Sequence, residues 1–563
     1  MDIEKKNEVE RPQSISSFKS GEKYEMSINE SPKGKVEMTA DEGDKFSDIS
    51  NLESQPQLKR TLKARHLAMI SLGGVIGQGL FLSAGSNLYA AGPAGALIAY
   101  AIIGFIVFWV TFSLGEMATY IPVSGSFTVF CRRFVDESFG TTIGYNYWAC
   151  WAIIVASELT ALPLVMEFWT TAVPSWAWSG IWLVIIFLLN LFGARSYGEA
   201  EYWFSVIKIL AVLIFIIVGC VTSGGLIGNT TPHEVYGFKY WNNPGAFSNG
   251  ALGVVNAFVL ASFSMQGTEI VGITAGECEN PIKQVPRAIK NVFWRIIIFY
   301  LGSVFVMGMI IPYDDPRNNM GSGSVTISPF TIVFENAGLE SVAHIMNAVI
   351  LITVLSCANS GMYVSSRMLC ALSKEGLAHH KLSYITKRGV PIWSLVCTAL
   401  VSLVTFATSF IPGKALFVVL TKLSGVAGFV TWGGICLAHY RFRKAIVYQG
   451  RSIKELPIAA PFHPFGDLFG MFACVVIALM AGYSYFKPAD PVGLVGNYAG
   501  LIVCAILYIV LKIYTRSKLI PIDEIDLDTG RADSSLYVNN DDQSEITGPW
   551  YKKAWKRFVI VVT

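Results

Sequence analysis

The chain has 563 residues, of which 53% are hydrophobic, 13% aromatic and only 15% charged, with a mean hydropathy of +0.48. Soluble proteins carry about 25% charged residues, so a soluble multidomain protein is excluded and an integral membrane protein is implied. A net charge of +3 with no basic block gives no footing for nucleic acid.

Residues 1–62 are polar, rich in Glu, Lys and Ser, and poor in aromatics. Such a segment buries too little apolar surface to offset chain entropy, which predicts a disordered tail. Its lysines (Lys5, Lys19, Lys33, Lys35 and Lys45) read as solvated charges, or alternatively as acceptors for ubiquitin-ligase machinery. The first apolar run starts near Leu67 with no signal peptide before it, and is predicted to act as its own insertion signal.

Twelve apolar runs follow, most of them about 20 residues long, enough to cross about 30 Å of hydrocarbon. They begin near Leu67, Ala94, Gly144, Trp176, Trp203, Gly253, Phe293, Phe330, Trp393, Ala415, Leu468 and Tyr498. This predicts a transporter-like domain over 63–515 and a second tail over 516–563. If the N-terminus is inside, the inner loops hold fifteen Lys and Arg, from Arg132 and Arg133 to Arg451 and Lys454. The outer loops then hold four: Lys239, Arg317, Lys414 and Lys487. Positive loops stay on the cytoplasmic side, so both termini are predicted to be cytoplasmic. Asn229-Thr230-Thr231, in a predicted outer loop, is a glycosylation sequon with Pro232 directly after it. In the second tail, Gly548 to Phe558 alternates aromatic and basic residues, which suits a short helix resting on anionic membrane lipid.

Two of the runs are interrupted. GGVIGQG (Gly73 to Gly79) breaks the first, and SFSMQGTE (Ser262 to Glu269) breaks the sixth. Lipid does not tolerate freed amide groups, so both breaks belong inside protein or along a cavity. Each opens a unit of five spans, and the two units face opposite ways across the membrane. The prediction is an all-α polytopic membrane protein: 12 transmembrane helices, a 5+5 inverted repeat of the LeuT type with discontinuous helices 1 and 6, and two peripheral spans. This is the layout of a secondary transporter. Glycine lets the backbone unwind, and the restarted helix of span 1 offers N–H groups and a partial positive charge. A substrate carboxylate is therefore assigned to Ile76, Gly77, Gln78 and Gly79. Unwound carbonyls in span 6 offer partial negative charge, which assigns an ammonium to Phe263, Ser264, Gly267 and Thr268. One zwitterion, a free amino acid, bridges both. Alone, GGVIGQG reads equally as a small-residue packing seam, and the matching second break is what favours a site.

Glu158 lies in span 3, where a charge at the bilayer centre costs about 2.5–3.5 kcal/mol on insertion scales. It must face a cavity, or be tied to a neighbouring helix. Lys208, in span 5, reads as a buried amine or as a lysine snorkelling to the interface. Glu116, Glu199 and Glu201 read as loop braces near span ends, Glu269 as a gate or a structural contact, and Glu277 and Glu279 as charges on the inner side. Lys422 is predicted to point away from the pocket, and Trp432 to serve in packing more than as a wall. The ten cysteines include no CxxC pair and read as small buried hydrophobes. The histidines show no metal spacing. No nucleophile–base motif or phosphate loop stands out, so neither an enzyme nor a cofactor is predicted.

Several long stretches carry a resemblance. They are LKARHLAMISLGGVIGQGLF (Leu62 to Phe81), SLGEMATYIPVSGSF (Ser113 to Phe127), GTEIVGITAGECENPIKQVPRAIK (Gly267 to Lys290), IIPYDDPR (Ile310 to Arg317), YVSSRMLCAL (Tyr363 to Leu372) and SGVAGFVTWGGICLAHYRFRKA (Ser424 to Ala445). In collinear order from about Lys59 to about Arg531, the chain resembles fungal amino-acid permeases, the YAT family of the amino acid–polyamine–organocation superfamily. The resemblance implies a plasma-membrane permease that imports L-amino acids with a proton, of broad range and/or for basic amino acids. It implies that Glu158 receives a cationic side chain, that Cys150 and Ser424 sense the side chain, and that Lys208 replaces a sodium ion with a proton. One departure is Gly77-Gln78-Gly79, where the family reads Gly-Thr-Gly, which puts a larger amide near the carboxylate end. The alternatives are a strictly basic permease for arginine and lysine, a sodium-coupled or exchange carrier, and a non-transporting amino-acid sensor on the same scaffold.

Overall fold

The computed structural model describes residues 69, 76–123, 125–229, 233–275, 281–318, 328–486 and 491–532. The tail 1–62, Gly73 to Val75 of the first break, Thr230 and Thr231 of the sequon, Glu277, Glu279, and Gly548 to Phe558 lie outside these residues. Among the described residues there is no β-strand. Among the described residues nine helices are long and apolar enough to cross a membrane, and Ser175–Asn190 and Phe465–Met480 are shorter apolar helices. The expected all-helical, polytopic class is thus met.

The first described run, Gly79–Tyr120, is two helices, α1 (79–91) and α2 (93–120), joined at Gly92. Gly92 has φ +76°, and Pro93 after it disfavours the α region for its predecessor. A Cβ there would lie 2.7 Å from Ala246 O and Ser248 N. Ala94 N donates to Ala246 O and Ser248 N to Ala91 O, both at 3.0 Å. The corner is thereby laced to the chain entering α7 (Gly250–Met265). Between them come α3 (Phe127–Phe134), α4 (Glu137–Met166), α5 (Ser175–Asn190) and α6 (Ala194–Ser223). Asp136 caps α4 by accepting from Phe139 N at 2.8 Å, an arrangement that stabilises a helix by about 1 kcal/mol.

Beyond α7 lie α8 (Ile270–Ala275), α9 (Ile282–Ile310), α10 (Pro329–Asn336), α11 (Glu340–Lys374), α12 (Ile392–Ser409), α13 (Gly413–Tyr448), α14 (Phe465–Met480) and α15 (Pro491–Thr515). The run expected from Phe330 is two helices, α10 and α11, because Gly338 between them takes φ +77° and ends the first. Helix α6 starts at Ala194, after Gly193 at φ +88°, well before the expected Trp203. Glu201 therefore sits two turns inside a helix and is fully buried, where the sequence suggested a loop brace. The central helix α4 packs on α11 and α13, while α2 packs on α7. Ile502, Val503, Ile506, Ile509 and Val510 of α15 are exposed, as a face turned to hydrocarbon requires.

One end of the bundle carries two features that sequence did not show. Part of the second tail, 516–532, packs across the ends of α2, α3 and α13. Ile520 N donates to Val135 O and Ala532 N to Tyr120 O at 3.0 Å, and Gln449 Nε2 donates to Ile525 O at 2.8 Å. Ile525 and Leu527 are buried there. Nearby, the Nδ1 atoms of His439 and His463 each lie 2.8 Å from one oxygen of Asp467, which also accepts from Ser113 Oγ at 2.9 Å. Glu116 in the same cluster accepts from Ala460 N and from Arg443 Nη2, at 2.5 and 2.9 Å. Folding makes this convergence from three separate helices.

Candidate functional site

Helix α7 stops at Met265; Gln266 is extended (φ −61°, ψ 152°), Gly267 takes φ +92°, and helix resumes at Ile270. The sixth run is broken where the sequence placed the break. A side chain at Gly267 would be strained by that φ and would meet the Trp151 ring at 3.1 Å. The freed groups find partners locally. Thr268 Oγ1 donates to Met265 O (2.7 Å), Gly267 N to Glu269 Oε1 (3.1 Å) and Tyr300 OH to Ser264 O (2.8 Å). Arg295 Nη2 donates to Thr268 Oγ1 at 2.9 Å, behind the break.

On the other side, Gly77 O accepts from Leu80 N and Phe81 N at 3.2 and 3.3 Å, which closes the first turn of α1. No side chain caps this helix start, and Ile76 before it is fully buried. The start of α1 touches the break that follows α7. A Cβ on Gly79 would collide with Ser264, lying 2.9 Å from its Oγ, and one on Gly77 would run into Cys357 Sγ and lie 3.6 Å from Glu158 Oε1. These two glycines are what let α1 approach α7 and α11 so closely. Tyr100 OH and Ser264 Oγ share a 2.9 Å hydrogen bond.

Between the start of α1 and that break is a cavity of about 20 Å³ walled by Gly77, Gly79, Glu158, Phe263, Ser264 and Gln266, with Trp151, Ile154 and Cys357. That volume suits one water, whereas pockets for small organic ligands span roughly 300–1,000 Å³. The side chains around it leave no room for an amino acid. Glu158 is 1% exposed. Cys357 lines the same wall, and Glu158 Oε2 has no hydrogen-bond partner among the described residues.

Other expected site residues stand further out. The Gln78 amide turns away from the cavity and donates to Ser157 Oγ at 2.9 Å. Cys150 Sγ lies 3.5 Å from Ser424 O, and Gln266 Nε2 donates to that carbonyl at 2.6 Å, so both reach the cavity through Gln266. The Ser424 hydroxyl bonds back to Leu420 O at 3.0 Å. Lys208 is fully buried rather than snorkelling, 3.3 Å from Glu201 Oε1. Glu201 Oε2 accepts from Ser356 Oγ (2.7 Å) and Ser360 Oγ (3.3 Å) of α11. Lys422 donates to Tyr485 OH, away from the cavity, and Trp432 Nε1 donates to Glu269 Oε2 at 3.2 Å, outside its wall.

Sequence reasoning missed Gln266, Trp151, Ile154 and Cys357. Gln266 stood inside the quoted break. Ile154 follows Cys150 and precedes Glu158 at four-residue steps, one face of a helix, so that face was open to inference. Cys357 had no local signal.

With this geometry in place, comparison with known proteins gives the class. Residues 66–521 match the amino acid permease family, and the chain belongs to it. It is therefore a multi-pass membrane protein of an amino-acid transport family. The chain is 45% identical over 490 residues to a lysine-specific permease of Lactococcus lactis subsp. cremoris, covering 85% of this chain and 94% of that one. A histidine permease of the same organism is 42% identical over 477 residues, 84% of this chain and 99% of its own. The lysine-specific permease of Saccharomyces cerevisiae is 41% identical over 512 residues, 89% and 82%. The fungal resemblance holds, and it extends equally to bacterial carriers.

Proposed function

We propose that this chain imports cationic L-amino acids, lysine foremost, across the plasma membrane by proton symport and alternating access. The observation that carries the proposal is Glu158: a buried carboxylate on the wall of the cavity between the start of α1 and the break after α7, with one oxygen that has no hydrogen-bond partner among the described residues. The substrate carboxylate docks at the start of α1, at Gly77 to Gly79, where helix N–H groups and dipole favour an anion. The α-ammonium docks on the carbonyl side of Phe263 to Thr268, and the side-chain ammonium on Glu158. The names of the relatives, lysine-specific and histidine permeases, favour a cationic range over a broad one. Lys208, held by Glu201, takes the role of proton carrier.

The scaffold proposed is twelve passes in two inverted units with both termini cytoplasmic. In its support, Gly92 divides the longest run into two passes, and the two shorter apolar helices add two more. The end bearing the 516–532 strap is then the cytoplasmic one. The test is labelled lysine uptake in cells lacking their own cationic carriers. Accumulation should follow the inward proton gradient and collapse with a protonophore. Uptake that follows sodium instead removes the role given to Lys208, and binding without accumulation favours a sensor.

A further inference from the structure

We infer that Ser360 and Tyr197 are the exit relay for the coupled proton, two hydroxyls leading from the Lys208–Glu201 pair to the end of the bundle that carries the 516–532 strap. The inference rests on the reading of Lys208 as proton carrier given above. Two helix faces build the relay. On α6, Tyr197, Glu201 and Lys208 stand at steps of four and seven residues, one face of a helix. At 1.5 Å per residue they span about 16 Å. On α11, which packs on α6, Ser356 and Ser360 share a face with Tyr363 and Arg367. Glu201 Oε1 lies 3.3 Å from Lys208 Nζ, its Oε2 accepts from Ser360 Oγ at 3.3 Å, and Ser360 Oγ accepts from Tyr197 OH at 3.0 Å. The Tyr197 ring stacks on that of Tyr363 at 3.8 Å, and the Arg367 guanidinium lies 3.4 Å over the Tyr363 ring. Glu375, directly after α11, accepts from Arg132 of α3 at 2.6 Å. The strap is bonded to Val135, directly after α3, so the relay runs toward the strap end, the cytoplasmic one in the proposed topology.

The need for a relay follows from burial. Lys208 and Glu201 are fully buried, and exposure first reaches 6% at Tyr197, in the opening turn of α6. A proton leaves Lys208 in this conformation through groups that both accept and donate, as a carboxyl and a hydroxyl do. The transfer balances. The Lys208 ammonium gives a proton to Glu201, which leaves both groups neutral. Glu201 passes a proton to Ser360 as Ser360 passes its own to Tyr197, and Tyr197 passes its own to water at the end of the bundle. Glu201 is again a carboxylate, Lys208 is a neutral amine, and one proton has left. An ionised carboxylate only accepts, so Ser360 donates to Glu201 and is left to accept from Tyr197. That direction is the one the two bonds hold once a proton has gone out along them. Ser356 donates to the same Glu201 oxygen at 2.7 Å and holds the carboxylate still, with the exit side left to Ser360.

The test uses the purified full-length protein in lipid vesicles and two assays of labelled lysine. Net uptake driven by an inward proton gradient needs the proton to be released in every cycle. Counterflow against unlabelled lysine inside the vesicle exchanges substrate without that release. Tyr197→Phe keeps the ring that stacks on Tyr363 and removes the hydroxyl alone. It should lower net uptake about tenfold or more, as loss of a positioned proton-transfer group does, and leave counterflow within about twofold of the parent. Ser360→Ala should show the same split, and Ser360→Thr, which keeps a hydroxyl, should recover net uptake to within about threefold. Equal loss in both assays would mark the two residues as structural and overturn the inference, as would net uptake that Tyr197→Phe does not lower. A second measurement needs no variant: replacing water by deuterium oxide should slow net uptake by the parent about twofold or more and leave counterflow unchanged, and equal slowing of both overturns the inference. The parent also separates the two readings. Net uptake that follows sodium and ignores the proton gradient removes the role of Lys208 itself, whereas proton-driven uptake that survives Tyr197→Phe removes only the relay.

Discussion

The two charged groups buried in the middle of this protein are treated in opposite ways. Lys208 is enclosed: Glu201 faces it, and two serines from α11 hold the carboxylate that does so. Glu158 stands at a cavity with one oxygen that has no hydrogen-bond partner among the described residues. A paired charge in a low-dielectric interior is locked in place, while an incompletely paired one retains affinity for whatever brings the missing charge. The proposed function gives structure and coupling to the enclosed group and recognition to the open one.

The strongest way to break that contrast is Glu201→Gln. Removing one partner of a buried pair costs about 3–5 kcal/mol, so the melting temperature of the purified carrier should fall sharply. The double change Glu201→Gln with Lys208→Met should recover most of the stability but not proton-driven accumulation; recovery of both would make the pair merely structural. Next in size is Gly79→Ala. Its Cβ would meet Ser264, and overpacking of this kind costs about 1–3 kcal/mol. Uptake of every substrate should drop about tenfold at unchanged surface level, and a loss confined to lysine would contradict a backbone-docking role. Glu158→Gln sharpens the other side: KM for lysine and arginine should rise about tenfold, which is about 1.4 kcal/mol, while neutral competitors hold. Equal loss for all would mark the carboxylate as structural. The smallest effect belongs to Gln266→Ala. It removes one hydrogen bond to Ser424 O, worth about 0.5–1.5 kcal/mol, and competition assays should show a shift of about twofold to tenfold that depends on side-chain size.

Much of this was legible before the fold. The break at Gly267 announces itself because a glycine among Gln, Thr and Glu inside an apolar run has little other use there, and its φ of +92° confirms that use. Glu158 stood out by cost alone. The partner of Lys208 was legible in principle, since Glu201 lies seven residues earlier on the same helical face, but placing the start of the span at Trp203 hid it. The direction of the Gln78 side chain was not legible, because the sequence does not show at which residue the helix restarts, and so which face of α1 Gln78 occupies. Cys357, like the cluster of His439, His463 and Asp467, comes from remote segments whose meeting is decided by packing, and no local pattern encodes it.

The corner at Gly92 has a mechanical corollary. Its two backbone bonds to residues 246 and 248 fasten α1 to α7 at one end, and the contact of Gly79 with Ser264 fastens them again at the cavity. Two such rivets make the pair a stiff caliper whose jaws are the opposed helix ends. When a caliper swings, its gap does not change, so under the proposed function the α-carboxylate and α-ammonium would be gripped alike whichever side of the membrane is open, and discrimination among amino acids would be left to the stationary walls that the jaws sweep past.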